Sequence, residues 1–213
     1  MTFSCKGQTQ NTYTALLDHI IHTRDQLHLR YLAADSTERT VVLPNARTFL
    51  TQSMTRDLLP AWYGTPWDFN GTTRTPKKGQ IACGYFVTNT LTDLGFDLPR
   101  VQWAQSASEV FIKKLAFGRV KRFYGQPISK IAQFLKQAGD GLYLVGLDNH
   151  TGFVWVNGQQ LQFIHADYYN PQNGVTAQLL TAQSPLTDSR YRVFGQLFSD
   201  EMLVHWLEKT ALQ

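Results

Sequence analysis

The sequence contains only two cysteines, Cys5 and Cys83, among 213 residues. Two thiols cannot build a disulfide framework or a multi-cysteine zinc site. A small domain stabilised in either of these ways is therefore excluded. Long apolar runs are also lacking, because the longest uncharged ones, 141–147 and 151–156, are far too short to cross a bilayer. The sequence therefore predicts a chain that folds around an apolar core.

An excess of one charge is likewise lacking. Twenty Lys and Arg residues against 16 Asp and Glu residues give a net charge of +4, which does not by itself indicate a nucleic-acid partner. Charged residues make up 17% and hydrophobic residues 43% of the chain, a balance that disfavours a disordered protein. The chain also has no Gly-x-Ser-x-Gly nucleophile elbow and no phosphate-binding glycine loop. Serine hydrolysis of that type and nucleotide chemistry are therefore not indicated.

The first residues leave two interpretations open. Phe3-Ser4-Cys5 resembles the end of a bacterial lipoprotein signal, in which the cysteine carries the lipid. That interpretation predicts membrane attachment through Cys5 and an extracytoplasmic location, in the periplasm or cell envelope. The other interpretation is an ordinary exposed cysteine in a cytoplasmic chain.

Helical periodicity dominates the first two thirds of the chain. Apolar spacing predicts a helix over 13–34, a polar turn over 35–39 and a second helix over 45–59, with Asn45 as N-cap and Pro60 as its stop. Three further helices are predicted over 81–94, 106–116 and 128–137. We divide the chain into three parts: a flexible leader over 1–10, a helical extension over 11–60 and a core over 61–213.

The pattern changes to strands after Gly139-Asp140-Gly141. The run 142–147 predicts a buried strand, and the runs 150–156 and 159–165 meet at Asn157-Gly158, a strong hairpin signal. One more strand is predicted over 191–197, followed by a helix over 200–209. Helices followed by an antiparallel sheet predict the α+β class.

Cys83 stands at the first turn of the predicted helix over 81–94. The free N–H groups and the positive end of a helix dipole stabilise a thiolate, so we expect a lowered pKa for Cys83. The same N–H groups suit the oxyanion of a tetrahedral intermediate. A thiolate is a nucleophile for acyl transfer, whereas a buried structural cysteine is the alternative.

Two histidines favour the interpretation of Cys83 as a nucleophile over that of a buried structural cysteine. His150 opens the first strand of the predicted hairpin and His165 closes the second, so the two are expected to be cross-strand neighbours. If both face the Cys83 helix, Cys83 is the nucleophile, His150 is the general base and then acid, and His165 orients His150. Asp167 and Asn170 are the alternative third residues.

Four segments resemble, in order, the NlpC family of cell-wall cysteine peptidases. They are Tyr63-Gly64-Thr65-Pro66-Trp67 with Gly71, Cys83-Gly84-Tyr85-Phe86-Val87 with its exit at Leu94-Gly95-Phe96, Gly139-Asp140, and His150-Thr151-Gly152-Phe153-Val154 followed by Phe163-Ile164-His165-Ala166. The resemblance covers about half of the chain. It implies a papain-like fold, with the nucleophile at a helix N-terminus packed on an antiparallel sheet and the N-terminal helices as an extension.

The resemblance also implies a function. Members hydrolyse an amide in peptidoglycan stem peptides, typically after a γ-linked D-glutamyl residue, and need no metal or organic cofactor. It places Tyr63, Trp67, Gly84 and Tyr85 at the substrate. The family commonly has an aspartate before the cysteine and a serine after it, whereas this chain has Ala82 and Gly84. A peptidoglycan peptide is thus the expected partner of a chain that we expect to be monomeric.

Alternatives to this function stay open. An N-acetylmuramoyl-L-alanine amidase or another amide hydrolase would use the same three residues with different pocket walls. A non-catalytic cell-wall or glycan-binding module would instead stack sugar rings on its tryptophans, of which Trp62, Trp67, Trp103 and Trp155 are candidates. Metal ligation by His150, His165 and Asp167 is disfavoured because it leaves Cys83 unexplained.

Overall fold

The helices and strands come from a computed structural model that describes residues 6–212, and the side chains of residues 12–212. Helices form most of the first half: α1 (Lys6–Ala33), α2 (Ser36–Gln52), a π-helix (Ser53–Leu58), α3 (Leu59–Trp62), α4 (Cys83–Asp93), α5 (Arg100–Ala104) and α6 (Ser108–Leu115). Strands and three more helices follow: β1 (Val120–Tyr124), α7 (Ile128–Ala138), β2 (Gly141–Leu147), β3 (Thr151–Asn157), β4 (Gln160–Ala166), β5 (Val175–Leu179), α8 (Pro185–Asp188), β6 (Tyr191–Gln196) and α9 (Asp200–Glu208). The predicted α+β class is confirmed.

The six strands form one antiparallel sheet in the order β1-β6-β2-β3-β4-β5. The predicted hairpin is β3 and β4, and Asn157 pairs with Gln160 across its turn. Strands β1 and β5 were not predicted from the sequence. Both are edge strands, whose partly exposed, polar residues lack the apolar alternation of central strands.

The helical region before residue 62 differs from its prediction in two places. The turn predicted over 35–39 is wrong, because the Asp35 side chain accepts the backbone N–H groups of Thr37 and Glu38 and so caps α2. Asn45 is not an N-cap, since α2 begins nine residues earlier and carries Pro44 in its interior. A proline usually disfavours a helix interior, which made the sequence resemble a break. Pro60 begins the short α3 rather than ending a helix.

The sheet separates two groups of buried side chains. On one face Phe153 of β3 packs edge-on against Phe86 of α4, 5.8 Å between ring centroids, within a core that also includes Ile20 of α1 and Trp206 of α9. On the other face Phe163 of β4 belongs to a smaller core with α7. The N-terminal helices therefore share a continuous core with α4 and the sheet.

The start of the first helix differs from the predicted boundary between the leader and the helical extension. Helix α1 begins at Lys6, so the predicted boundary at residue 10 falls inside it. Cys5 lies outside the described residues, as does the interpretation attached to it. Between residues 6 and 212, no helix combines the length and the apolar character needed to span a membrane.

Candidate active site

Cys83 is the first residue of α4, as predicted within two positions. Its N-cap, Ala82, has extended backbone geometry and provides no side-chain cap, so the first N–H groups of the helix remain available. The backbone N–H groups of Gly84 and Thr151 favour the ionised form of the Cys83 sulfur. Since Thr151 follows His150, the sulfur lies against the start of β3.

The ionisation of this thiol differs from the prediction. Burial raises the pKa of Cys83, and the N–H groups around the sulfur only oppose that rise. The expected lowering of the Cys83 pKa is therefore wrong for the free protein. A helix N-terminus can be recognised in a sequence, whereas the desolvation of one sulfur depends on tertiary packing. The resting thiol is therefore neutral and would need a base in order to act as a nucleophile.

The hairpin register brings the two histidines together. Phe153 pairs with Ile164, which places Gly152 opposite His165 and puts His150 diagonally beyond it. A Cβ added to Gly152 would lie 2.9 Å from the His165 Cβ and 2.7 Å from the Ile164 carbonyl oxygen. Glycine at this position therefore allows the two strands to approach where the histidines meet.

His150 and His165 are hydrogen-bonded to each other, which confirms that they are neighbours. The distance from His150 Nε2 to His165 Nδ1 is 2.9 Å. The other ring nitrogen of His150, Nδ1, is buried and has no hydrogen-bond partner among the described residues. Such an unpaired buried group is costly and is often a reactive one.

Both rings are neutral near neutral pH. Burial lowers the pKa of His150 well below its usual value, and the neighbouring His165 adds to that effect. Burial also lowers the pKa of His165, to about 4, although Asp167 opposes the shift. A neutral thiol beside a neutral imidazole is the starting state of general-base activation.

The two histidines do not lie together on the Cys83 side of the sheet. His165 stacks on Phe163, with centroids 4.1 Å apart, and Phe163 belongs to the core on the α7 side. His150 precedes β3 and is therefore free of the pleat that directs His165. The expectation that both rings face α4 is wrong for His165, and His150 connects the two sides around the end of the sheet.

Gln178 of β5 is a site residue that the sequence analysis missed. Its amide nitrogen lies 3.4 Å from His165 Nε2, and it can present either its N–H or, after rotation, its carbonyl to that nitrogen. A carbonyl there would hold a proton on His165 Nε2, which makes His165 Nδ1 the acceptor from His150. The His150 Nδ1 lone pair would then remain free for a proton. An uncharged glutamine on an unpredicted edge strand gives no sequence signal.

The alternative third residues are not bonded to His150. Asp167 instead accepts the Tyr169 backbone N–H at 2.9 Å and the Asn170 side-chain amide at 3.2 Å. The two residues thus stabilise the loop after β4. Among the described residues, no group of three His, Cys, Asp or Glu side chains is arranged to hold a metal ion.

An aromatic cavity of about 600 Å³ opens on one side of Cys83 and His150. Trp67, Phe69, Tyr85 and Tyr168 provide its rings. Phe69 is 79% exposed, which is unusual for a residue with no binding role. The Trp67 and Tyr168 rings are 5.8 Å apart, and Tyr168 is 5.0 Å from the His150 ring. This cavity therefore places an apolar wall directly beside the two candidate catalytic groups.

A polar cavity of about 470 Å³ opens on the other side of the same two residues. Its wall includes Ser106, Ser108 and Glu109. The Glu109 carboxylate is not free, because one oxygen accepts from Arg122 and the other from the Tyr191 hydroxyl at 2.6 Å. The two cavities together form a groove across Cys83 with one aromatic and one polar half.

The backbone around Cys83 is tightly packed. A Cβ on Gly84 would lie 2.2 Å from the Ala104 carbonyl oxygen, so no side chain fits after the nucleophile. This explains why Gly84 stands where serine is common in the resembling family. Gly71 is similarly constrained, since a Cβ there would lie 2.5 Å from the Ile81 backbone nitrogen.

Tyr63 is separated from the other predicted substrate-binding residues. Trp67, Gly84 and Tyr85 line the aromatic cavity, whereas Tyr63 lines a different cavity between α2 and the sheet. Among the tryptophans proposed for sugar stacking, Trp62 and Trp103 are 0% and 2% exposed and so belong to the core. Trp67 lines the aromatic cavity beside Cys83, and Trp155 lines the cavity that Tyr63 lines.

Comparisons of this chain with protein-family models, with curated proteins and with solved structures found no match. The resemblance to the NlpC family thus depends on the quoted segments alone.

Proposed function

We propose that the chain is a cysteine hydrolase of papain-like type that cleaves an amide bond in peptidoglycan stem peptides. The observation that carries this proposal is the unpaired, buried Nδ1 of His150 at a wall shared with Cys83, while Nε2 is bonded to His165. A histidine that is held at one ring nitrogen, is unpaired at the other, and lines the same cavities as a thiol is suited to act as the base for that thiol.

The first half of the reaction follows from these contacts. The Cys83 proton moves to His150 Nδ1 as the sulfur attacks the amide carbon. The bond from His150 Nε2 to His165 stabilises the imidazolium that forms. N–H groups at the start of α4 stabilise the oxyanion. The C–N bond then breaks, and the leaving amine takes the proton from His150.

The second half releases the acyl group. A water molecule gives one proton to His150 Nδ1 while its oxygen attacks the thioester carbon. The C–S bond breaks, the sulfur recovers a proton from His150, and the carboxylic acid leaves. All groups return to their neutral starting state, which matches the lowered pKa of both histidines.

The groove supports a substrate that differs on the two sides of the scissile amide. The aromatic half suits apolar portions of a peptide or a sugar face, and the polar half suits hydroxyl and amide groups. Ala82 removes the carboxylate that commonly binds a free amine in the resembling family. A charge-assisted hydrogen bond of about 1.5–3 kcal/mol is thereby absent, so we expect no requirement for a free N-terminal amine.

A digest of purified peptidoglycan tests the proposal. Mass spectrometry of the released fragments should show cleavage of a stem-peptide amide by the intact chain and none by Cys83→Ala. Release of the whole stem from the sugar would instead identify an N-acetylmuramoyl-L-alanine amidase on the same residues. Unchanged turnover by Cys83→Ala would contradict both.

Location forms a second part of the proposal. An extracytoplasmic enzyme, attached through a lipid on Cys5, would meet this substrate directly. Metabolic labelling with a fatty-acid analogue should mark the full-length protein, and Cys5→Ser should remove the label. A label that persists in Cys5→Ser would contradict lipidation at that residue.

A further inference from the structure

A third cavity lies at the opposite end of the β3–β4 hairpin from His150. Its volume is about 810 Å³, larger than either cavity at Cys83. It opens between α2, the π-helix and the sheet, and its wall includes Thr51, Gln52, Tyr63, Trp155, Gln162 and Gln196. Trp155 lies four positions after Thr151 in β3, which corresponds to roughly 13 Å. No residue of this wall lines the two cavities at Cys83.

Four uncharged polar side chains of this wall are unpaired among the described residues, whereas others, such as Thr55 and Asp140, form hydrogen bonds. Over residues 12–212, the side chains of Thr51, Gln52, Gln162 and Gln196 form no hydrogen bond with another protein group. Gln162 of β4 pairs with Trp155 of β3, whereas Gln196 lies on β6 and pairs with Tyr143 of β2. Amides and hydroxyls both donate and accept, so the wall presents mixed hydrogen-bonding capacity to any occupant.

The charges of the wall are balanced. Arg47 is bonded to the Asp200 carboxylate and to the Phe198 carbonyl oxygen. The remaining charged residues are Arg56 and Asp140, one of each sign. A cavity with this balance does not select a charged ligand.

Two aromatic residues add an apolar surface. The half-buried Trp155 and Tyr63 both line the cavity, and neither ring is part of the fully buried core. The π-helix Ser53–Leu58 contributes Thr55 and Arg56 to the same wall. Single-turn π-helical segments occur frequently at functional sites.

We infer that this cavity binds a neutral carbohydrate. Sugars present hydroxyl and acetamido groups that require many uncharged partners, together with an apolar ring face that packs on indole or phenol rings. Unpartnered amides and hydroxyls around Trp155, without net charge, match that chemistry. This site goes beyond the proposed hydrolysis and does not rest on it, because its wall shares no residue with the two cavities at Cys83.

Titration calorimetry with a β-1,4-linked N-acetylglucosamine tetramer tests the inference on the full chain. The probe has no stem peptide, so amide hydrolysis at Cys83 plays no part in the measurement. We expect a dissociation constant of about 1 mM or tighter. Gln162→Leu, Thr51→Val and Trp155→Phe should each weaken binding at least about fivefold, with retained circular dichroism spectra.

The matched control is Gln137→Leu, an exposed glutamine of α7, which should bind the tetramer as the unmodified chain does. Two outcomes would overturn the inference. One is the absence of binding up to about 10 mM. The other is binding that the three cavity variants leave unchanged but Trp67→Ala removes, since the sugar would then occupy the groove at Cys83.

Discussion

The polar side chains at the two ends of the β3–β4 hairpin differ in their burial and in their hydrogen bonding. At the His150 end, titratable side chains are buried and bonded to one another, and burial shifts their pKa values toward the neutral forms. At the Trp155 end, four uncharged side chains line a cavity and have no hydrogen-bond partner over residues 12–212. Buried, coupled ionisable groups suit proton transfer, whereas free uncharged groups suit binding. One hairpin thus presents the features of a reactive site and of a recognition site.

We expect the largest effect from a substitution that removes the proposed base at the His150 end of the hairpin. His150→Phe keeps a ring in the buried position but has no proton acceptor. Hydrolysis of a stem-peptide substrate should therefore fall about 10²- to 10⁴-fold in kcat. The matched control is His22→Phe, an exposed histidine of α1, which should hydrolyse normally. A decrease below tenfold would contradict the role of His150, and a parallel loss of tetramer binding would show that the two ends are not independent.

The second effect is acid sensitivity that originates at the same end. The folded pKa of His165 is about 4 against a usual value of 6.5, so the unfolded chain takes up a proton first as the pH falls. Stability is therefore full above pH 6.5 and decreases toward pH 4, by on the order of 3 kcal/mol. Urea midpoints at pH 7, 5 and 4 would measure this loss. His165→Asn should flatten the dependence, and an unchanged slope in that variant would assign it elsewhere.

The third effect tests the close packing behind the nucleophile. Gly84→Ser places a side chain against the Ala104 carbonyl oxygen, so α4 or α5 must move. We expect a loss of about 1–3 kcal/mol in the free energy of unfolding, measured by thermal or urea denaturation. Ala211→Ser, at an exposed position in the segment after α9, should be within about 0.5 kcal/mol of the unmodified chain. Equal stability of both variants would contradict the packing argument.

The smallest effect concerns Gln178 as a positioning residue. Gln178→Leu removes the amide whose carbonyl, after rotation, would hold a proton on His165 Nε2, so the His150–His165 pair would sample the unproductive tautomer. We expect kcat/KM to fall about tenfold, which corresponds to about 1.4 kcal/mol. The acid limb of the pH–rate profile should move as well, which a purely structural role would not produce. A lowered rate with an unmoved profile would contradict the positioning role.

The sequence predicted the elements that local patterns determine. The helix after Cys83, the hairpin at Asn157-Gly158 and the contact between His150 and His165 follow from apolar spacing, turn chemistry and strand length. The edge strands β1 and β5 were missed because their exposed residues carry no alternation. Asp35 was assigned to a turn because polar residues in an exposed first turn resemble a loop.

Other features of the site depend on tertiary structure. Desolvation reverses the predicted pKa shift of Cys83, and the pleat of β4 directs His165 away from α4. Tyr63 lines the cavity at the Trp155 end of the hairpin rather than the one beside Cys83, because the chain between it and Trp67 turns from one cavity to the other. Gln178 reaches His165 only through the pairing of β4 and β5. No residue spacing in the sequence indicates this pKa shift or these side-chain positions.

The rate of Cys83 alkylation by iodoacetamide tests the central claim most directly, with peptide mass spectrometry separating Cys83 from Cys5. A buried neutral thiol reacts slowly unless a neighbouring base accepts its proton. We predict measurable alkylation of Cys83 at pH 7 in the unmodified chain and at least about a tenfold slower rate in His150→Phe, with His22→Phe unaffected. Equal rates of Cys83 alkylation in all three proteins would contradict activation of the thiol by His150.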